Sequence, residues 1–147
     1  MDKKTKQKRV ELFERQCRSQ GVPFTVQRRA ILETVLEFDN HPTAEQVHDA
    51  VTTRFPGISR TTVYRTLETL VQMGLITKAC HPGSVVRYDR RIEVHHHLVC
   101  QRCEEVVDIS DERLDALPVP DTSSLGFEVF DFRVQLRGIC RRCRKKE

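Results

Sequence analysis

The chain has 147 residues, which is enough for one ordinary domain or for two small ones. Hydrophobic residues make up 38% of the sequence and charged residues 31%, so we expect two small cores rather than one large one. The lysine-rich residues 1–9 lack the apolar run of a signal peptide, and no segment approaches the roughly 18 apolar residues of a membrane span. The composition therefore excludes a membrane protein, and we expect a soluble protein of the cytoplasm.

Charge is distributed unevenly along the chain. Residues 1–90 contain 15 Lys and Arg against 10 Asp and Glu, whereas residues 91–147 contain 10 against 11. The resulting net charges are +5 and −1, which favours an anionic partner such as DNA for the first half. A basic surface that is merely solvated is an equally good interpretation of the charge alone.

Four helices are predicted in the first half, from apolar residues at helical spacing and from polar residues that can cap a helix. Thr25 caps the second helix, Thr43 begins a T-x-x-Q capping box for the third, and Ser59 caps the fourth, which runs through Met73. The residues that form the apolar faces are, in chain order, Val10, Phe13 and Cys17; Ile31, Val35 and Phe38; Val47, Ala50, Val51 and Phe55; and Val63, Leu67, Leu70 and Val71.

The third and fourth helices, joined across residues 55–59, form a predicted helix-turn-helix. Residues 77–88 are predicted to fold as two strands around residues 81–84, and helices followed by such a hairpin describe a winged helix. Lys78 in this wing can contact the DNA backbone. The residues at the start of the fourth helix that can reach phosphates and base edges are Arg60, Thr61, Thr62, Tyr64 and Arg65. An ordinary amphipathic helix with a solvated polar face is the alternative interpretation.

Two C-x2-C pairs, Cys100 with Cys103 and Cys140 with Cys143, organise the second half. Two intervening residues let both thiolates of a pair reach one ion, and two pairs complete a tetrahedral four-cysteine zinc site. Disulfides and a redox-active pair are the weaker interpretations in a reducing compartment. Structural zinc would supply the folding free energy that a small core lacks. Cys17 is expected in the core, and the role of Cys80 stays open.

Strands are predicted at residues 94–100, 106–109 and 127–139, with a short helix at residues 111–117. These elements predict a small α+β domain with an antiparallel sheet, for which a twofold dimer is the commonest association. His95 and His97 share one face of the first strand. Together with nearby carboxylates such as Asp108, they form a candidate site for Fe2+, Mn2+ or Zn2+. Ordinary surface histidines are the alternative.

Five motifs follow one another along the chain: T-V-Q-R-R-A-I-L (25–32), H-P-T-A-E (41–45), S-R-T-T-V-Y-R-T-L (59–67), H-H-H-L-V-C-Q-R-C (95–103) and the final C-R-R-C. Motifs in this order resemble the ferric uptake regulator family. The resemblance implies a homodimeric, metal-dependent transcriptional repressor that binds a palindromic DNA operator and is not an enzyme. It also implies a winged-helix DNA-binding domain with wing and hinge at residues 1–90, and a dimerisation and metal-binding domain at residues 91–147 that holds the structural zinc.

The resemblance further implies a regulatory Fe2+ or Mn2+ site formed by His41, Asp89, His95, His97 and Asp108. Iron-uptake members tend to carry Glu at positions 89 and 108, whereas this chain has Asp at both, as in the peroxide-responsive branch. In that branch, Fe2+ and hydrogen peroxide would oxidise His41 or His95 and release the DNA, whereas Mn2+ would support binding only. Residues 129–132 lack the histidine of members with a further metal site, so we expect one regulatory site.

Three other functions remain open from the sequence. An Fe2+-responsive iron-uptake repressor of the same architecture is the nearest alternative, and a zinc-responsive repressor is a weaker one. A metallohydrolase is the alternative from another class. It is disfavoured because no Glu stands beside a ligand pair as a general base, and because ligands on both sides of a hinge suit switching better than catalysis.

Overall fold

A computed structural model of the chain describes residues 1–79 and 85–145. The chain divides into two compact units, Met1–Ile92 and Glu93–Glu147. Among the described residues, none of the helices combines the length and the apolar character that are needed to cross a bilayer. The elements of the first unit are α1 (Lys3–Gln20), α2 (Val26–Glu37), α3 (Ala44–Thr52), α4 (Arg60–Gln72), β1 (Thr77–Ala79) and β2 (Arg87–Asp89).

Local capping determines where these helices begin and end. The Thr25 hydroxyl accepts the backbone N–H of Arg28 at 3.2 Å, and Ser59 caps α4 in the same way. Thr43 and Gln46 form the complete reciprocal capping box at the start of α3. These three predictions are confirmed.

The four helices of the first unit pack their apolar faces into one buried cluster. Cys17 lies within it as predicted, and burial raises the pKa of its thiol. Phe55 was expected on α3, but α3 ends at Thr52 and Phe55 packs against the cluster from the turn that follows. The physical reason is Pro56, which disfavours helical backbone in the residue that precedes it.

The helix-turn-helix and the hairpin together give the first unit its winged-helix topology. β1 and β2 pair antiparallel, with Thr77 opposite Asp89. The backbone N–H of Tyr88 donates to the carbonyl of Pro42 at 2.9 Å, which attaches β2 to the chain just before α3. The predicted turn at residues 81–84 and Cys80 lie outside the described residues.

The second unit contains a three-stranded sheet with short helices. Its elements are β3 (His96–Cys100), β4 (Val106–Ile109), α5 (Glu112–Asp115), a 3-10 turn (Ser123–Leu125), β5 (Gln135–Gly138) and α6 (Arg141–Arg144). The strand order is β4-β3-β5, with β3 antiparallel to β4 and parallel to β5. The α+β class is confirmed, with one parallel pairing inside the sheet.

The third predicted strand is shorter than expected. Only Gln135–Gly138 of residues 127–139 forms a strand, and α6 was not predicted. Apolar and polar residues alternate along residues 127–134 as they do in a strand. A strand also requires a neighbouring strand to which its backbone can hydrogen-bond. The apolar side chains of this segment are largely solvent-exposed, with Phe127 at 71% and Phe130 at 88%. The apolar pattern therefore does not mark a core-facing strand within the described chain.

Candidate metal centres and DNA-reading surface

The four cysteines of the second unit converge on one point. Their four Sγ atoms all lie within 4.8 Å of one another, and those of Cys103 and Cys140 are 3.7 Å apart. Tetrahedral zinc with Zn–S bonds of about 2.3 Å places its sulfur ligands about 3.8 Å apart. The donor set and its spacing therefore fit a structural zinc ion, as the sequence predicts.

Each cysteine pair is carried by a tight turn. Cys100 ends β3, and the backbone N–H of Glu104 donates to its carbonyl at 2.9 Å, with Glu104 itself at a φ of 56°. Cys140 directly precedes α6, and the N–H of Cys143 donates to the Cys140 carbonyl at 3.0 Å. Both turns direct two thiols to the same side of the chain, which is why a two-residue gap suits a metal.

The thiols of this cluster differ sharply in acidity. The backbone N–H of Cys140 donates to Sγ of Cys100 at 3.3 Å and, with the backbone near Cys103, lowers the pKa of Cys100 to about 6. A hydrogen bond with Cys103 and burial raise the pKa of Cys143 to about 12. Cys100 therefore ionises easily, whereas Cys143 keeps its proton in the hydrogen bond with Cys103 and resists ionisation. A divalent cation bound by the four sulfur atoms compensates their negative charge and so favours the thiolate form of each.

A second set of donors lies on β3 and β4 of the same unit. Asp108 stands directly opposite His97 in the antiparallel register, and its Oδ1 lies 3.7 Å from Nε2 of His97 and 3.4 Å from Nε2 of His95. Nδ1 of His95 lies 2.7 Å from the carbonyl of Glu93 and donates to it, which leaves the Nε2 lone pair directed towards Asp108. The structure thus brings together His95, His97 and Asp108, as predicted.

The two remaining predicted ligands form a buried pair in the first unit. Nε2 of His41 lies 3.1 Å from Oδ2 of Asp89, and both side chains are 5% exposed. Each partner is fixed by the backbone around it. The other oxygen of Asp89 accepts the N–H of Arg91 at 2.8 Å, and the Arg87 guanidinium donates to the His41 carbonyl at 2.9 Å. The pair is therefore held in one geometry.

The spacing of these nitrogen and oxygen atoms suits a first-row divalent metal. Bonds of about 2.1 Å place neighbouring ligand atoms about 3.0–3.5 Å apart. The separations of 3.1 Å in the His41–Asp89 pair and 3.4 Å between His95 and Asp108 lie in this range. Imidazole with carboxylate is a donor set for Fe2+, Mn2+ or Zn2+.

The predicted DNA-contacting residues lie on α4 and β1, and two of their cations are engaged with carboxylates. Nε of Arg60 lies 2.9 Å from Glu45, which also accepts from the Tyr64 hydroxyl at 3.5 Å. Lys78 binds Glu68 at 2.8 Å. The predicted residues that are exposed on α4 are Arg60, Thr61, Tyr64 and Arg65, whereas Thr62 is half-buried beside the Ser59 cap. Sequence reasoning missed both glutamates, since each contacts its partner across at least ten residues.

Comparisons with a family profile, with a related sequence and with solved structures all indicate the same family. Residues 19–137 match the profile of the Ferric uptake regulator family. The chain is 30% identical over 129 residues to the peroxide-responsive repressor PerR of Staphylococcus epidermidis, covering 88% of this chain and 86% of that protein. It also superposes on the Helicobacter pylori ferric uptake regulator with a TM-score of 0.79 at 17% identity, covering 95% of this chain and 93% of that one. A zinc uptake regulator bound to zinc and DNA matches with a TM-score of 0.63 at 22% identity, covering 97% of both chains.

Proposed function

Because the chain belongs to the ferric uptake regulator family, we propose that this metal-responsive transcriptional regulator is a repressor that responds to peroxide. Members of this family regulate transcription and are not enzymes. The observation that carries the proposal is the pair of nitrogen and oxygen donor sets, each of which contains an aspartate: His41 with Asp89, and His95 and His97 with Asp108. The similarity to PerR of Staphylococcus epidermidis supports the peroxide response.

We propose that the two donor sets hold one regulatory Fe2+ or Mn2+ ion. His41 and Asp89 belong to the first unit, whereas His95, His97 and Asp108 belong to the second. All five side chains can donate to one ion only in the arrangement that brings the units together, so occupation shifts the population towards that arrangement. In a homodimer this would set the two α4 helices at the spacing of a palindromic operator.

The peroxide response requires a reductant and an oxidisable ligand in the same place. Bound Fe2+ supplies the reducing chemistry towards hydrogen peroxide, which Mn2+ does not. The imidazole of His41 or His95 would then gain one oxygen atom of the peroxide at a ring carbon, while the other oxygen leaves as water. An oxidised ring donates poorly, so the five-residue set is lost and the DNA is released.

The four-cysteine zinc has a separate, structural role in this proposal. It joins the turn after β3 to α6 and so closes the second unit, whose buried apolar residues are few. The second unit would then act as the dimerisation domain and the first as the DNA-binding domain. We propose a cytoplasmic location, because a transcriptional regulator acts where its DNA operator is.

The proposal is tested on protein purified without oxygen and loaded with zinc plus either Fe2+ or Mn2+. The DNA probe is a palindromic duplex selected from random sequences by the Mn2+ form. We expect tight binding in both forms, loss of binding after hydrogen peroxide in the Fe2+ form only, and one added oxygen atom in the His41 or His95 peptide. Fragment spectra distinguish His95 from its neighbours, and the His48 peptide serves as the unmodified control.

Three outcomes each contradict a different part of this proposal. Loss of binding without an added oxygen on His41 or His95 overturns the mechanism. Binding that needs Fe2+ or Mn2+ but survives peroxide identifies an iron-level repressor of the same architecture instead. Equal binding with and without the regulatory metal overturns metal dependence itself.

A further inference from the structure

We infer that Glu45 restrains the DNA-reading face of α4 and thereby sets how strongly the protein discriminates its operator from other DNA. The inference rests on the proposed contact of α4 with DNA, and it assigns a specificity role to a residue outside the predicted contact set. Glu45 is acidic, so it cannot itself attract the DNA backbone.

One carboxylate engages two of the predicted DNA contacts. Glu45 lies in the first turn of α3, where its Oε2 is 2.9 Å from Nε of Arg60. Its Oε1 accepts from the Tyr64 hydroxyl at 3.5 Å. Arg60 and Tyr64 are four residues apart on α4, so they lie one above the other on one helix face. Glu45 thus bridges the two helices of the helix-turn-helix at its DNA-reading face.

This bridge matters because Arg60 would otherwise be a free cation. Its side chain is 64% exposed and lies at the N-terminal end of α4, which carries a partial positive charge. Without Glu45, Arg60 could contact a DNA phosphate there whatever the base sequence. The Glu45 carboxylate raises the pKa of Arg60 and compensates its charge. In contrast, the exposed Arg65 has no ion pair among the described residues. Arg65 can therefore bind DNA with its full charge, whereas the charge of Arg60 is partly compensated by Glu45.

Specific and non-specific complexes are affected differently by such a restraint. In a non-specific complex, the Glu45 carboxylate compensates the Arg60 charge and so weakens any phosphate contact of Arg60, and if Arg60 leaves Glu45, that carboxylate faces the DNA as an unpaired negative charge. In the operator complex, Arg60 and Tyr64 stay in the orientation that Glu45 fixes and meet base edges there. Glu45 therefore weakens the non-specific complex more than the operator complex, and such a difference in affinity is a common source of specificity.

The test compares Glu45→Gln with a charge-matched control. Gln keeps the shape of Glu45 and removes its charge. Glu14→Gln removes the same charge from α1, where Glu14 contacts Arg18 at 3.3 Å. The Mn2+- and zinc-loaded full chain is titrated with the selected operator and with a duplex of unrelated sequence, over a range of salt concentrations. Arg60→Gln and the double variant Glu45→Gln/Arg60→Gln complete a thermodynamic cycle.

We expect Glu45→Gln to raise affinity for the unrelated duplex about two- to fivefold, the range of an exposed ion pair. The salt dependence on that duplex should steepen by about one phosphate contact, a slope change of roughly 0.9. Operator affinity should not rise, so the specificity ratio falls. The effect should vanish in the Arg60→Gln background, and Glu14→Gln should leave the ratio unchanged.

The outcomes separate this inference from the proposed function. If Glu45→Gln changes the specificity ratio no more than Glu14→Gln does, the restraint is overturned while metal-dependent DNA binding stands. The same holds if Glu45→Gln still raises affinity for the unrelated duplex in the Arg60→Gln background. If the wild-type chain binds neither duplex, the proposed function is overturned and the restraint with it. Melting curves of the variants verify that each protein is folded.

Discussion

Nε2 of His96 donates to Oδ1 of Asp115 at 3.0 Å, while its Nδ1 accepts the backbone N–H of Val134 at the same distance. The acceptor role of Nδ1 places the ring proton on Nε2. The ring also stacks on Phe132, with centroids 5.9 Å apart, and is 1% exposed. His96 therefore joins the central strand β3 both to α5 and to the segment before β5, on the opposite face from His95 and His97.

We predict that His96→Ala lowers the free energy of unfolding of the second unit by about 2–4 kcal/mol. The loss combines a cavity with an unsatisfied Val134 N–H. Asp115→Asn is the matched variant, because its amide oxygen can still accept from Nε2 and should cost less than about 1 kcal/mol. Hydrogen exchange of the β3 amides in the zinc-loaded chain measures both. Equal losses in the two variants would attribute the whole effect to Asp115 and would contradict the contribution of the Val134 bond and of the packing on Phe132.

Removal of one zinc ligand should unfold the second unit. Cys140→Ser deletes a thiolate in the residue that directly precedes α6, so we expect loss of bound zinc and of the sheet signals of β3 and β5. Cys80→Ser should retain one zinc per chain, since the four clustered cysteines already supply the four ligands of a tetrahedral zinc. Native mass spectrometry counts the zinc and hydrogen exchange reports the fold. A Cys140→Ser protein with intact protection in β3 would contradict a structural role.

Substitutions on α4 and on the wing should change DNA binding in different ways. Arg65→Ala should weaken operator binding by about 1–3 kcal/mol, because a base contact is lost, and should weaken binding to unrelated DNA only by the loss of one phosphate contact. Lys78→Ala should weaken binding to both duplexes and reduce the salt slope by about 0.9. Titrations at several salt concentrations distinguish the two patterns. If neither substitution changes DNA affinity, α4 is not the recognition helix.

A pH dependence follows from Glu33, which contacts Arg29 at 2.8 Å and Arg54 at 3.4 Å. Burial acts to raise the pKa of Glu33, but the two guanidinium groups outweigh it and hold the pKa below 4.5. A lowered folded-state pKa stabilises the protein above the unfolded value, and this stabilisation is lost as the pH falls through the folded value. We therefore expect Glu33→Gln to cost up to about 1 kcal/mol at neutral pH, and this cost should shrink as the pH falls through the lowered folded-state pKa. Urea unfolding across this range measures the difference, and a constant cost would contradict the ion-pair origin.

The helix starts could be predicted because capping is a local property. Thr25, Thr43 and Ser59 each bond a backbone N–H three residues on, and all three predictions are confirmed. The third strand could not be predicted in the same way, because strand pairing depends on distant residues. Alternation of apolar and polar residues continues through residues 127–134, but only Gln135–Gly138 pairs with β3 as a strand.

In the candidate sites too, motifs of short spacing could be predicted, whereas contacts between residues far apart in the sequence could not. The cysteines and the His95–His97 face follow from short spacings that fix the direction of side chains. In contrast, Glu45 meets Arg60 across 15 residues and His96 meets Asp115 across 19. No periodicity links such partners, so only the folded chain reveals them.

The central claim is that one ion is shared by His41, Asp89, His95, His97 and Asp108. The most direct measurement is a crystal structure of the Mn2+- and zinc-loaded protein, with the manganese located by its anomalous scattering. We predict that all five side chains ligate a single Mn2+. A manganese ion held by His95, His97 and Asp108 alone, with His41 and Asp89 still paired to each other elsewhere, would contradict it.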